Sequence, residues 1–437
     1  MRREQGAMSL LVTGMLLVAS LLTILGASRT AFYQIKRAQN EVGAAQAHWA
    51  AEGGLECAFT KAKIVNSVPV FSATECGLVD LDSVVFSGSP KVDVVATSGP
   101  TQVQRTFTAL GSGRSSGVMK ATSNLFLLGS VAMLADPGEP ADENLWDCTM
   151  LRFKNDFIAH GNIINQGVGH GVTAPYADFP TPPTAPPQAC SASHQTINGV
   201  GNYGYPTGLK NDVVNDTAFD PFKETFNYDR SEWLEVMYHD SVYRIGPSSL
   251  PPTKPSNKSS LPIAPVLNSS CGNKIKNAIG SGEDLIWVYG GCELDGADLV
   301  GIKTELSKAS TPNSMVLVVH NGIFAVNGSH NLKGMVYHFV DDDLGFSPSS
   351  MHWNSVAPVI KAELLGALTG TAITIDNVSF FNNGAFNPSG GYVMDAEGTY
   401  AIYRGALHFL FNRDDIETPL EDFTTQINWI EGSWRDY

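Results

Sequence analysis

The chain has 437 residues, 43% hydrophobic and 16% charged, with 42 glycines and a formal net charge of -15. That length supports two or three domains with real cores, and frequent glycine with few charged helix formers past residue 65 points to a body of strands and turns. Lys and Arg are scattered singly, which argues against nucleic acid as a partner, because phosphate binding needs clustered cations.

The first element is the run Met8 to Gly26, MSLLVTGMLLVASLLTILG, which carries no charge. It approaches the ~20 residues that cross a bilayer core as a helix. Arg2 and Arg3 precede it, so the short N-terminal end should stay cytoplasmic. A cleaved secretory signal is the alternative, but no small-x-small site leads from the run into an extended mature start. Helical pattern continues instead, without proline, through AFYQIKRAQNEVGAAQAHWAAEGGLECAF. Phe32, Ile35, Val42, Ala45 and Trp49 recur at three-, four- and seven-residue steps, the mark of one apolar face. A single helix of roughly 50 residues would run about 75 Å.

The start Arg2-Arg3-Glu4-Gln5-Gly6 followed by Ala7-Met8-Ser9-Leu10-Leu11-Val12, and Ala50-Ala51-Glu52-Gly53-Gly54-Leu55-Glu56 beyond the apolar run, resemble the N-terminal region of PilX-type minor pilins. The chain end, Gly432-Ser433-Trp434-Arg435-Asp436-Tyr437, is similar to that of large members. The resemblance covers about sixty residues; the rest matches in general character only. It implies a leader of residues 1–6 cut at Gly6–Ala7 by a prepilin peptidase, and a transmembrane and amphipathic helix over 7–63. It implies a single-pass inner-membrane protein with a periplasmic body, later carried into an extracellular pilus, with major and other minor pilins as partners and no cofactor. One position departs from the pattern of major pilins: the fifth residue after the cut is Leu11, not Glu. A carboxylate in a bilayer needs a partner, and in a pilus that partner is thought to be a neighbour's N-terminal amine. A chain with Leu11 lacks this contact, which suits a subunit at or near the tip, unless Leu11 is a family substitution without positional meaning.

Six cysteines, none in a CxxC pair, read better as a disulfide framework than as a zinc site or catalytic dithiol. Cys57 with Cys76, Cys148 with Cys190, and Cys271 with Cys292 are the simplest sequential pairs among the connectivities open to six cysteines. Disulfides persist in an oxidising compartment, so the body should be periplasmic or extracellular.

Residues 64–111 hold alternating runs such as Val92 to Val95 and Gln102 to Phe107, read as antiparallel strands laid on the helix to complete a pilin-like α+β domain. Gly111 to Gly117 reads as a linker. Residues 112–437 then read as an all-β domain, with short apolar strands between Gly and Asn turns at Asn124 to Ala135, Asp156 to Gln166 and Asp284 to Val300. From Ser314 on, Gly322, Gly328 and Gly334 recur every six residues. A β-solenoid (β-helix) is the expected architecture, with a β-sandwich as the alternative. A Pro-rich insert occupies about 172–283, including FPTPPTAPP from Phe179 and the proline-rich stretch Pro247 to Pro265, both expected to be extended and exposed. Tyr203, Tyr205, Phe219, Phe222, Phe226, Tyr228, Trp233, Tyr238 and Tyr243 form an aromatic region inside it. Those rings read first as a local core, and otherwise as a surface for a carbohydrate or protein receptor.

Catalytic chemistry finds little support. Asp341-Asp342-Asp343 lacks the spacing of a calcium loop and reads as a solvated turn. His160, His170 and His194 are too dispersed for zinc, and no G-x-S-x-G places a nucleophile. No enzyme activity, metal or cofactor is expected. The competing functional reading is a membrane-anchored β-helix that binds or cleaves carbohydrate.

Overall fold

The computed structural model describes residues 4–65, 72–77, 80–87, 91–108, 117–177, 179–183, 185–424, 428–430 and 432–436. The chain divides into two compact units, one of Met1–Leu110 with Gln426–Tyr437 and one of Gly111–Thr425. Most of the expected linker, residues 111–116, lies outside the described residues.

The first unit is built on one helix, α1 (Glu4–Val65), about 93 Å long at 1.5 Å per residue. Its C-terminal turns pack on an antiparallel sheet of β1 (Ser83–Ser87), β2 (Lys91–Ser98) and β3 (Thr101–Thr108). The sheet alternates as a half-buried strand must: Val92, Val94 and Ala96 are buried, and Asp93, Val95 and Thr97 are not. Ala51, Leu55, Ala58, Phe59 and Ala62 of α1 complete this core with Val84, Val103 and Phe107. Each fully buried valine or phenylalanine contributes about 1.5–3 kcal/mol. Small residues let the helix lie close; a Cβ on Gly54 would meet Leu81 Cδ1 at 2.6 Å. Two C-terminal strands, Asn428–Trp429 and Arg435–Asp436, pair antiparallel with β3. The last residues thus differ from the expected division at 112–437: they belong to the first unit, and the body is an insertion between β3 and its own sheet partners.

The second unit is mixed α/β, not all-β. Helices Cys271–Gly280, Gly296–Leu306 and Pro358–Leu368 stand among its strands. The sequence reading missed them because their apolar residues fall in short runs that strands also show. One large sheet runs Val213–Asn215, Leu151–Phe153, Met119–Ala121, Tyr392–Asp395, Gly334–Phe339, Met315–His320, Leu285–Tyr289, Tyr243–Ile245, all neighbours parallel. A second runs Cys292–Asp295, Phe324–Asn327, Val378–Asn383, Tyr400–Arg404, Asn124–Leu128, Phe157–Asn165, Val131–Leu134, Leu407–Leu410, again parallel. Gly199–Gly204 adds to Phe157–Asn165 antiparallel. The parallel pairing excludes an antiparallel sandwich.

Runs such as Leu285–Tyr289 and Met315–His320 are buried on both faces, as strands of a covered parallel sheet are. The second sheet is covered by Pro358–Leu368, whose Ile360 and Leu364 meet Phe126, Phe381 and Ile402. Against the first sheet lie Phe222, Phe226 and Trp233, ring to ring with Tyr337, Trp287 and Phe339. The six-residue glycine spacing marks crowded turns. A Cβ at Gly322 would sit 2.0 Å from the Gly291 nitrogen, and Gly334 combines φ of +130° with a Cβ position 1.8 Å from the Met315 oxygen. Neither tolerates a side chain.

Candidate functional site

From Ser9 to Gln46 every residue of α1 is exposed. The helix is long and apolar enough to cross a membrane by length and composition. Polar side chains inside the apolar run bond back to the helix: Thr13 to the Ser9 carbonyl at 2.9 Å, Ser20 to Leu17 at 2.9 Å, Thr23 to Ser20 at 2.8 Å. Those three hydroxyls are thereby satisfied within the helix, which is what a lipid environment requires. Gly6 and Ala7 lie in the first turns of α1, and Leu11 is 60% exposed on its surface. The apolar face of Phe32, Ile35, Val42 and Trp49 also stays exposed; the face that meets the sheet is Ala47, Ala51, Leu55, Ala58 and Ala62.

The C-terminal tail fastens this unit. Trp429 stacks on Phe59 and meets Phe107 edge-on with centroids 5.8 Å apart. The Arg105 guanidinium lies 4.4 Å from the Trp429 ring and 5.7 Å from that of Trp434. Ser433 Oγ donates to the Thr106 carbonyl at 3.1 Å. Nothing in the sequence pattern singled out Trp429.

The three disulfides are Cys57–Cys76, Cys148–Cys190 and Cys271–Cys292, the sequential pairs. The first ties α1 to residues 73–76; the third ties the start of helix Cys271–Gly280 to the start of strand Cys292–Asp295.

In the body, the sequence candidates do not converge. His160 stacks on Tyr203 at 4.1 Å, His194 Nδ1 lies 3.0 Å from Asp147, and His170 precedes a short turn. Asp341 is buried and its backbone N–H donates to Asn321 Oδ1 at 2.7 Å, while Asp343 pairs with Lys258. The triplet is therefore not a solvated turn throughout. Among the described residues no group of three or more His, Cys, Asp or Glu is arranged to hold a metal. Of the aromatic region, Phe219, Phe222, Phe226 and Trp233 are core, whereas Tyr203, Tyr205 and Tyr243 are exposed.

Buried charge is concentrated in networks that the sequence did not reveal. Asp395 accepts from Tyr337 Oη at 3.0 Å, Thr122 Oγ1 at 3.0 Å and Arg230 Nε at 3.3 Å. Burial pushes its carboxyl up, against the opposing pull of Arg230. Asp395 cross-links the insert, through the half-buried Arg230, to the strands. Arg152 holds Asp216 at 2.7 Å and Glu224 at 2.9 Å, and Arg413 holds Asp136 at 2.7 Å. Lys120 lies among these groups, and burial pulls its ammonium down to about 8. His338, on strand Gly334–Phe339, meets the Gly322 carbonyl at 2.9 Å through Nε2, and burial lowers it to about 4. These groups read as internal scaffolding; perturbed titration alone does not make a site.

No family model, curated protein or solved structure matches the chain.

Proposed function

We propose that this chain is a minor pilin-like subunit, held in the inner membrane by α1 until it is assembled into a type IV pilus or a related pseudopilus. The observation that carries the reading is α1 itself. One unbroken helix is apolar and exposed through its first half and forms the core of a small disulfide-tied antiparallel sheet at its end. A helix of that kind serves lipid first and neighbouring helices afterwards, since its exposed apolar face continues through Phe32, Ile35, Val42 and Trp49. The residues around Gly6–Ala7 supply the leader and cut that such a route requires.

The body is proposed to be a β-solenoid. Six strands of the first sheet are each followed along the chain by a strand of the second, and the two sheets hold these partners in the same order. Each such pair is then one coil. The coil nearest the body's N-terminus, through Met119–Ala121 and Asn124–Leu128, stacks between the coils of Tyr392–Arg404 and Leu151–Asn165, so the solenoid closes on its own last turn.

The subunit is proposed to sit at or near the tip, scarce relative to the major pilin and supporting assembly and adhesion. Leu11 offers no carboxylate to a neighbour's amine, and burying an unpaired amine in apolar surroundings costs several kcal/mol. An inserted body spanning Gly111–Thr425 is also bulky for a repeating lattice. Gold labelling of the body on intact pili tests this. Label at pilus ends supports the placement; label spread evenly along the shaft, or confined to the envelope, overturns it.

A further inference from the structure

We infer that a cleft of about 340 Å³ beside the helix Gly296–Leu306 and the short parallel strands His330–Leu332 and Phe386–Pro388 binds an acidic saccharide, whose carboxylate or sulfate is held by Lys303 and Lys333. The inference needs only that the body faces outward, and it stands apart from the route by which the chain is anchored or assembled.

The volume falls at the low end of the ~300–1,000 Å³ range of small-ligand sites. Its floor is apolar, from Leu332, Leu410 and Phe411. Its walls are amides and a hydroxyl already fixed by their own bonds. Asn387 donates to Asn331 Oδ1 at 3.2 Å and accepts the His408 backbone N–H at 3.0 Å. Asn331 is thereby oriented with its own amide N–H groups unused in any protein bond among the described residues. Ser389 Oγ accepts from the Gly334 N–H at 3.1 Å and donates to Asp415 Oδ2, so one Asp415 oxygen is engaged and the other is left for a donor. Asn412 Oδ1 accepts the Asp415 N–H at 3.2 Å, which seats that carboxylate.

Two features decide the ligand class. Lys303 and Lys333 are exposed and form no ion pair among the described residues, in a chain of net charge -15. Lys333 also acts on Asp415, whose carboxyl it pulls down against burial, so its charge is shared between that carboxylate and a ligand. Ammonium groups at a cleft mark an anionic ligand. Asp415 lines the same cleft and would repel a bare anion while accepting from a hydroxyl. A ligand that satisfies ammonium groups, a carboxylate acceptor, an amide donor and an apolar floor together carries acid, hydroxyls and a C–H face. A sugar acid has all of these. Inorganic phosphate lacks the hydroxyls and the apolar face, and an acidic peptide lacks the run of hydroxyls.

The test is calorimetric titration of the full chain in detergent micelles with trigalacturonate and with a sulfated disaccharide, which separate carboxylate from sulfate. Maltotriose, triglutamate and inorganic phosphate are the comparisons. Saturable binding of either acidic sugar, at least tenfold tighter than all three comparisons, is expected. The double variant K303Q/K333Q should lose tenfold or more at unchanged melting temperature. Lys254→Gln, which removes an exposed lysine paired elsewhere with Glu235, should leave binding intact. The proposal is overturned if neither acidic sugar binds, if maltotriose, triglutamate or phosphate binds as tightly, or if K303Q/K333Q binds like the parent chain.

Discussion

The ring of Trp429 lies face to face with that of Phe59, centroids 4.1 Å apart and planes 14° from parallel. The two residues stand near opposite ends of the chain, yet their contact closes the core of one small unit. Because the body is inserted between β3 and Trp429, the core of α1 and β1–β3 is covered by Trp429 only once the whole body has been traversed. Trp429→Ala should therefore destabilise the first unit by about 2–4 kcal/mol, from lost burial and an unfilled cavity. Hydrogen exchange is the readout: amides of Thr101–Thr108 should lose protection in the variant, with Trp429→Phe intermediate. Unchanged protection would mean the tail is an accessory.

Two buried histidines should make the body sensitive to acid. Burial holds His338 at about 4 and His320 well below its usual value. The unfolded chain takes up protons near pH 6.5 while the folded body does not, so stability falls as pH drops from 6.5 towards 4. His338 alone accounts for up to about 3 kcal/mol over that window. Urea unfolding followed by the body's buried tryptophans should show this slope, and His338→Leu should flatten it. Burial raises Asp395 and Asp415 in the same body and offsets part of the slope, so the difference between parent and variant is the readout. An unchanged slope in His338→Leu would contradict the burial of that ring.

Lys120 follows the same sign at higher pH. Its folded value near 8 lies below the ordinary 10.5, so at neutral pH the folded body carries a charge that burial disfavours. Glu224 and Asp136 retain Arg152 and Arg413 without it. Lys120→Met should thus stabilise the body at pH 7 by about 2 kcal/mol. The gain should shrink as pH rises from 8 to 10.5, where the parent loses its proton in the folded state first. Destabilisation by Lys120→Met would show instead that the ammonium is needed in that network.

The disulfide Cys148–Cys190 spans 42 residues, and removing a link of that span costs about 4 kcal/mol in the loop-entropy account. The double variant C148S/C190S should melt well below the parent, and non-reduced peptide maps of the native protein should recover all three links. Six free thiols would place the body in a reducing compartment.

How much could be read in advance follows from the range of each interaction. The span of α1 was legible because an uncharged run and local periodicity are properties of neighbouring residues. The sequential cysteine pairs were only the simplest of the connectivities open to six; the structure forms those pairs, each of them local. Parallel pairing came only with the solenoid expectation and not with its sandwich alternative, and LIWVY and MVLVVH, apolar without alternation, carry its mark. Local pattern names a strand but not its partner: Met119–Ala121 pairs with Tyr392–Asp395, far beyond any window. The same limit hid Trp429 and the cleft, whose two lysines belong to separate elements. The apolar face of Phe32 to Trp49 was read correctly as a face, but the sheet packs on another, because alanines and Gly54 admit closer approach than Phe and Trp do.

The most direct test of the anchored-pilin account is the intact mass of the chain produced with and without a prepilin peptidase. The account predicts that the peptidase removes residues 1–6, leaving Ala7 as the new N-terminus, and that replacing Gly6 with a bulky residue abolishes the cut. A chain that stays full-length beside an active peptidase, or is cut beyond the apolar run near Gly26, would contradict it.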